Sequence, residues 1–180
     1  MRQRQRPGSR TLSLSDQPEI QLTQAPASLN SGAIPAHGAR LGGIEAGLTW
    51  NRVWLQAEGY AITVEGIRGD GRSSTSSGGY MQASYTLLGA PREWSPSLAA
   101  WGSPSPDGAW GAVEVGARFS YADVQGLVAR GGRQAVSAVS LSWFPVKPLR
   151  FLAEYGHGRV EGGVLQRSLD FLAARAQLSF

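Results

Sequence analysis

The sequence predicts an all-β protein, an antiparallel transmembrane β-barrel of which about seven to eight strands are present. Stretches of roughly ten residues alternate between apolar and polar side chains, which is the period of a β-strand. The 180 residues include 24 Gly, 6 Trp and 5 Tyr, a composition that suits strands and turns better than helices. No apolar run approaches the ~20 residues of a membrane-spanning helix.

Residues 1–40 form a poorly patterned amino-terminal segment that we predict to be mostly loop. The alternation of Arg and Gln at residues 2–6 favours an edge strand, which Pro7 and Gly8 would end. No apolar stretch of a secretory signal peptide follows Met1. Because a barrel must be secreted to reach its membrane, we expect the chain to be a fragment or to begin at a misplaced start.

Residues 41–180 are predicted to form barrel strands joined by alternating short turns and long loops. In 42–50 the apolar positions are Ile44, Ala46, Leu48 and Trp50. A tight turn at 51–52 leads into 53–64, where one parity holds Val53, Leu55, Ala57, Gly59 and Ala61 and the other holds Trp54, Gln56, Glu58 and Tyr60. After a long polar loop at 66–78, the apolar positions of 79–88 are Met81, Ala83, Tyr85 and Leu87.

Four more predicted strands follow a second long loop, 89–108, which contains four Pro and two Trp. In 113–121 the apolar positions are Val113, Val115, Ala117, Phe119 and Tyr121. In 133–144 they are Val139, Leu141 and Trp143, and a short link at 145–148 follows. The last two strands, 149–158 and about 166–180, have apolar positions at Leu149, Phe151, Ala153 and Tyr155, and at Leu172, Ala174, Ala176, Leu178 and Phe180.

Alternation of period two also fits a soluble β-sandwich, and three details favour the barrel. Short and long connections follow one another, as periplasmic turns and outer loops do. Aromatic residues stand at the ends of apolar faces, where interfacial girdles belong: Trp50, Tyr85, Tyr121, Trp143 and Tyr155. The polar faces carry full charges in mid-strand, which suits a water-filled lumen.

The chain ends within a predicted strand on an aromatic residue. Apolar side chains precede Phe180 at every second position, Leu178 among them. This pattern resembles the sorting signal that the outer-membrane barrel-insertion machinery reads. We therefore expect that machinery and outer-membrane lipid as partners.

Several segments resemble the phosphate-selective porin O and P family. The most recognisable is Gly108-Ala-Trp-Gly-Ala-Val-Glu-Val-Gly-Ala-Arg-Phe-Ser-Tyr121, followed by Asp123. Further similar stretches are 131–134, 141–150, 80–89 and 54–58, with weaker matches at 4–7 and 31–34. The resemblance implies a bacterial outer-membrane porin, often a homotrimer of barrels with about sixteen strands. This chain would be its carboxy-terminal half, without the inward-folded constriction loop of the other half.

The resemblance implies passive diffusion of small anions, with phosphate or polyphosphate as solutes. A pore needs no catalytic group or cofactor, only charges that replace part of the hydration of the solute. Arg suits phosphate because its planar fork donates two parallel hydrogen bonds. The predicted pore-lining residues are Arg118, Arg150, Arg175, Glu114, Glu154 and Glu58. The competing interpretation is that each arginine pairs with a neighbouring lumen carboxylate.

Other functions find little support in the sequence. The formal net charge is +4, but apart from the arginines among residues 2–10 the positive charges are spread out, so no nucleic-acid patch is predicted. The chain has no Cys, and His37 and His157 lack metal-ligand spacing, so neither a metal site nor an enzyme is predicted. Two alternatives to a channel remain: a small non-conducting barrel acting as an anchor or adhesion protein, and a truncated porin remnant.

Overall fold

The computed structural model describes residues 11–12, 15–16, 29–30, 34–36, 38–65, 73–124, 132–162 and 167–179. Four two-residue strands come first: β1 (Thr11–Leu12), β2 (Ser15–Asp16), β3 (Leu29–Asn30) and β4 (Ile34–Pro35). β1 pairs with β4 and β2 pairs with β3. The predicted edge strand at 2–6 and the terminal Phe180 lie outside the described residues. In the described part of the chain, no helix is long and apolar enough to cross a membrane.

The main sheet contains seven antiparallel strands and confirms the predicted all-β class. They are β5 (Gly38–Trp50), β6 (Val53–Glu65), β7 (Ser73–Leu88), β10 (Ala112–Asp123), β11 (Arg133–Val146), β12 (Leu149–Glu161) and β13 (Arg167–Leu178). Two short strands, β8 (Trp94–Ser95) and β9 (Ala100–Trp101), form a hairpin between β7 and β10. The sheet order is β13-β12-β11-β10-β7-β6-β5, so sequential strands of the main sheet are neighbours. Among the described residues the sheet is not closed, and β5 and β13 are its edges.

β7 begins earlier than the sequence predicted. The stretch 66–78 was predicted to be loop because it is rich in Gly and Ser, yet the strand begins at Ser73. Two of its glycines have close neighbours: a Cβ on Gly78 would lie 2.7 Å from the hydroxyl of Tyr60, and one on Gly79 would lie 3.1 Å from the Cα of Gly59. Glycine inside a strand often marks such a close approach, which resembles a loop signal in the sequence.

Strand direction determines the end of the sheet at which each connection lies. We call the end with the tight turns at 51–52 and 147–148 the turn end, and the opposite end the loop end. Because neighbouring strands are antiparallel, the connection between β7 and β10, residues 89–111, lies at the turn end. The sequence-based grouping of 89–108 with the long loop at 66–78 is therefore wrong. The chain length of a connection alone does not show on which side of the sheet it lies.

The two faces of the sheet differ in chemistry. One face exposes large apolar side chains, with Ile44 76%, Met81 60% and Leu172 82% accessible. The five aromatic residues predicted for girdles lie on this face and are exposed. A soluble monomer rarely leaves so continuous an apolar surface open to water, whereas a membrane barrel presents it to lipid. We call this the apolar face and the opposite one the lumen face.

Gly111, where the chain rejoins the sheet at β10, should tolerate no side chain. Its φ of +70° favours glycine, and a Cβ there would lie 2.8 Å from the Cα of Pro145 and against the carbonyl oxygen of Phe144. We expect Gly111→Ala to lower the free energy of unfolding by about 2–4 kcal/mol, from backbone strain and crowding together. Urea unfolding of the chain folded in lipid vesicles measures this loss.

Gly108→Ala is the matched control, because Gly108 has a φ of +73° but a Cβ added there would meet no atom within 4 Å. That variant carries the backbone strain without the crowding, so we expect a loss of only about 1–2 kcal/mol. Equal losses in the two variants would show that the contact with β11 is unimportant.

Candidate functional site

The lumen face carries a polar cavity of about 230 Å³ near the middle of β10. The charged residues that line it are Arg92, Glu114, Arg118, Arg150 and Glu154. Four of them are among the six pore-lining residues predicted from the sequence. The register of the sheet explains why these strand residues lie at one cavity. Glu114 lies opposite Ser142, and Ser140 lies opposite both Gly116 and Glu154. Alternate residues of three adjacent strands thus share one surface.

Glu114 is bound on the lumen face by the connection 89–111. Its carboxylate accepts two charge-assisted hydrogen bonds from Arg92, both 2.7 Å long, and one from Ser84 Oγ at 2.9 Å. Only 4% of Glu114 is exposed. Arg92 also donates to the carbonyl of Gly102 at 3.1 Å, and its guanidinium lies 4.5 Å from the centre of the Trp54 ring. This ion pair therefore fastens the connection to the wall, and the partner of Glu114 is none of the three arginines predicted to line the pore.

Arg92 is not among the residues that strand alternation predicts for the lumen, because it lies in a connection and not in a strand of the main sheet. A signal for it was present in the sequence. A glutamate on the lumen parity of a strand needs a cation if it is buried, and Arg92 is the single basic residue between 89 and 108. The missing information was that this connection folds over the lumen face.

Arg118 is held by a row of polar side chains that crosses three strands. Its Nη1 donates to Gln82 Oε1 at 3.0 Å, and Gln82 Nε2 donates to Gln56 Oε1 at 2.9 Å. The guanidinium carbon lies 3.9 Å from the centre of the Tyr80 ring. A hydrogen bond at one edge and an aromatic ring at one face together fix the orientation of the cation.

Arg150 lies on β12 at the opposite side of the same cavity. Its Nη2 donates to Ser142 Oγ at 3.0 Å, and its guanidinium carbon lies 5.4 Å from the Phe144 ring centre. Its Nε is buried and has no hydrogen-bond partner among the described residues. The ion pairs within the described part of the chain do not include Arg150. Donor capacity therefore remains on this cation.

The other predicted residues lie apart from this cavity. Arg175 is exposed on the edge strand β13, opposite Leu152. Glu58 lies opposite both Glu45 and Tyr80 and lines a separate cavity of about 340 Å³. Leu178 is 63% exposed at the end of β13, and the other residue of the predicted sorting signal, Phe180, is outside the described residues.

Comparison with known proteins gives a family and a relative that is longer than this chain. A family model described as phosphate-selective porin O and P matches residues 2–180. An uncharacterized protein of Caulobacter vibrioides is 29% identical over 147 residues, which are 77% of this chain and 29% of that protein. The chain thus spans less than a third of the length of that relative.

Proposed function

The chain belongs to the phosphate-selective porin O and P family, and from this premise we propose that it forms wall strands of a bacterial outer-membrane channel for small anions. The family implies the outer membrane as the location. Phosphate is the solute that the family description names, and polyphosphate is a second solute of the same chemistry. Homotrimeric assembly and recognition by the barrel-insertion machinery are part of the same proposal.

The observation that carries the proposal is the position of Arg118 and Arg150 on one polar cavity of the lumen face. The guanidinium fork matches the oxygens of phosphate, stays charged at every relevant pH and sheds water more readily than an ammonium group. The opposite face of the same strands is apolar and exposed, as contact with lipid requires.

The carboxylates of the cavity moderate the attraction. Glu114 neutralises Arg92 by a bidentate ion pair, and Glu154 stands on the same wall as Arg118 and Arg150. The five charged groups leave the cavity with a single excess positive charge. A permeating ion must be attracted enough to enter and held weakly enough to leave, and a small excess of positive charge meets both requirements.

A second function, a non-conducting membrane anchor, is favoured by one feature of the lumen face. Toward the loop end, Val136 and Phe171 are 2% and 8% exposed and pack with Ala138 and Leu169. Side chains that fill the interior of a small barrel leave no channel. The two functions make opposite predictions for ion flow.

Planar-bilayer recording of the full chain tests the proposal. We expect discrete conductance steps that favour anions and that are blocked when phosphate is added to a chloride solution. Protein whose folding is verified by its heat-dependent mobility in gels, yet which gives no steps, would contradict the channel and support the anchor. Cation-selective steps would contradict the assignment of the arginines.

A further inference from the structure

A second cavity of the lumen face lies beside the arginine-lined one. It measures about 360 Å³ and is formed where the β8–β9 hairpin covers β5 and β6. Its side walls carry three indole rings, and its polar groups are a carboxylate, an amide and a guanidinium. These residues are Trp54, Trp94, Trp101, Glu45, Gln56 and Arg92. We propose that this tryptophan cavity binds a neutral sugar, one or two rings in size.

The three indole rings form a continuous aromatic cluster. The centres of Trp94 and Trp101 lie 4.4 Å apart with their planes at 62°, and those of Trp54 and Trp101 lie 6.3 Å apart at 61°. Trp94 lies in the hairpin that covers the lumen face, and 46% of it is exposed. An indole offers a large rigid apolar surface with a polar edge, and the C–H face of a sugar ring packs well on such a surface.

The polar groups suit hydroxyl partners. Gln56 uses its Oε1 to accept from Gln82, so its amide nitrogen is left to donate, and the Glu45 carboxylate has two acceptor oxygens. Planar groups of this kind can bond to two adjacent hydroxyls of a sugar. A cavity of a few hundred Å³ with a small number of polar groups on an aromatic lining is also the usual form of a small-molecule site.

Charge argues against an anion or a cation in this cavity. Glu45 lies directly opposite Glu58 across β5 and β6, and two adjacent carboxylates repel an anion such as phosphate. An organic cation would seek an indole face, but the guanidinium of Arg92 already covers the face of Trp54 at 4.5 Å, so that face is closed to a second cation. A neutral solute avoids both penalties.

Two further details show that the cavity is built rather than incidental. Gly47 allows the ring of Trp101 to lie on the wall, because a Cβ at this position would come within 2.6 Å of Trp101 Cζ3. The indole nitrogens of Trp54 and Trp101 are buried and have no hydrogen-bond partner within the described part of the chain. A buried donor without an acceptor is unfavourable, so the two indole rings are held in this arrangement at a cost.

Fluorescence titration of the full chain in a detergent without a sugar headgroup tests the proposal. Maltose, choline and inorganic phosphate serve as neutral, cationic and anionic probes. We expect maltose to change tryptophan emission saturably, and Trp94→Ala to raise its Kd by about tenfold or more. Trp110→Ala is the matched control, because Trp110 belongs to the same connection but is 77% exposed and does not line the cavity. It should leave the Kd unchanged.

A second pair of variants leaves the tryptophans in place. Gly47→Ala should displace Trp101 and weaken maltose binding, whereas Gly43→Ala, on the same strand and face, meets only ordinary contacts and should not. The proposal is overturned if maltose gives no saturable signal in the unmodified chain, or if choline or phosphate binds in its place with the same dependence on Trp94. Because binding in micelles requires no ion flow, this result is independent of the conductance experiment.

Discussion

Replacing Glu114 with Gln is expected to lower the free energy of unfolding by about 3–5 kcal/mol. The carboxylate is 4% exposed and accepts hydrogen bonds from Arg92 and Ser84. Its neutral replacement leaves the Arg92 cation without its charge partner in a site where water reaches little of either side chain. The loss should far exceed that of a surface ion pair, for which the typical value is about 0–1 kcal/mol.

Urea unfolding of the chain folded in lipid vesicles measures this effect, and Glu65→Gln is the matched control. Glu65 pairs with Arg40 at 3.0 Å, but the two side chains are 42% and 81% exposed. A double-mutant cycle with Arg92→Met isolates the interaction energy between Arg92 and Glu114, because the second substitution removes the cation that Glu114→Gln leaves without a partner. Glu114→Gln and Glu65→Gln variants of equal stability would contradict a fastening role for the buried pair.

Protease sensitivity gives an independent view of the same variant. Arg92 is the single trypsin site in residues 89–111, and its side chain is engaged with Glu114 and Gly102. In Glu114→Gln we expect the connection to loosen and trypsin to cleave after Arg92 much faster than in the unmodified chain. Cleavage at the same rate in both proteins would show that other contacts hold the connection in place.

Replacing Arg150 with Gln is expected to have the largest effect on ion selection. Arg150 lines the polar cavity, and its donor groups are less occupied than those of Arg92. We expect the ratio of anion to cation permeability to fall about tenfold, equivalent to about 1.4 kcal/mol of attraction. Arg150→Lys keeps the charge but loses the fork, so an intermediate ratio is expected.

Arg175→Gln removes the same charge from an exposed position on the edge strand β13 and is the control for Arg150. Solvent screening should limit its effect to about twofold. Reversal potentials in a salt gradient across a planar bilayer give the ratio for each variant. An Arg175 variant as strongly affected as the Arg150 variant would show that net charge, and not the cavity, selects the ion.

Local sequence patterns predicted most of the sheet because each strand has its own alternation. The seven strands and their apolar parity follow from residues such as Val115, Ala117 and Phe119, which lie two apart and therefore share a face. The beginning of β7 was not predicted because Gly78 resembles a loop residue in the sequence. In the structure it leaves room for the ring of Tyr60, which belongs to another strand.

The site was predicted in part, for a similar reason. Glu114, Arg118, Arg150 and Glu154 follow from strand parity, and the structure brings them to one cavity. Arg92 and the tryptophan cavity depend on how the connection 89–111 folds back over the sheet, and no local period encodes that path. Long-range pairs such as Trp101 with Gly47 become visible only in three dimensions.

Cysteine labelling of neighbouring residues on β11 tests most directly whether one face meets water and the other lipid. The chain has no native Cys, so each introduced thiol is unique. Ser140 lines the arginine cavity, and Val139, the preceding residue, is 56% exposed on the apolar face. In lipid vesicles we expect a charged thiol reagent to modify Ser140→Cys rapidly and Val139→Cys hardly at all. We also expect brominated lipid chains to quench a fluorophore only at position 139. Equal reaction at both positions, or quenching at 140 instead, would contradict a lumen lined by Arg118 and Arg150.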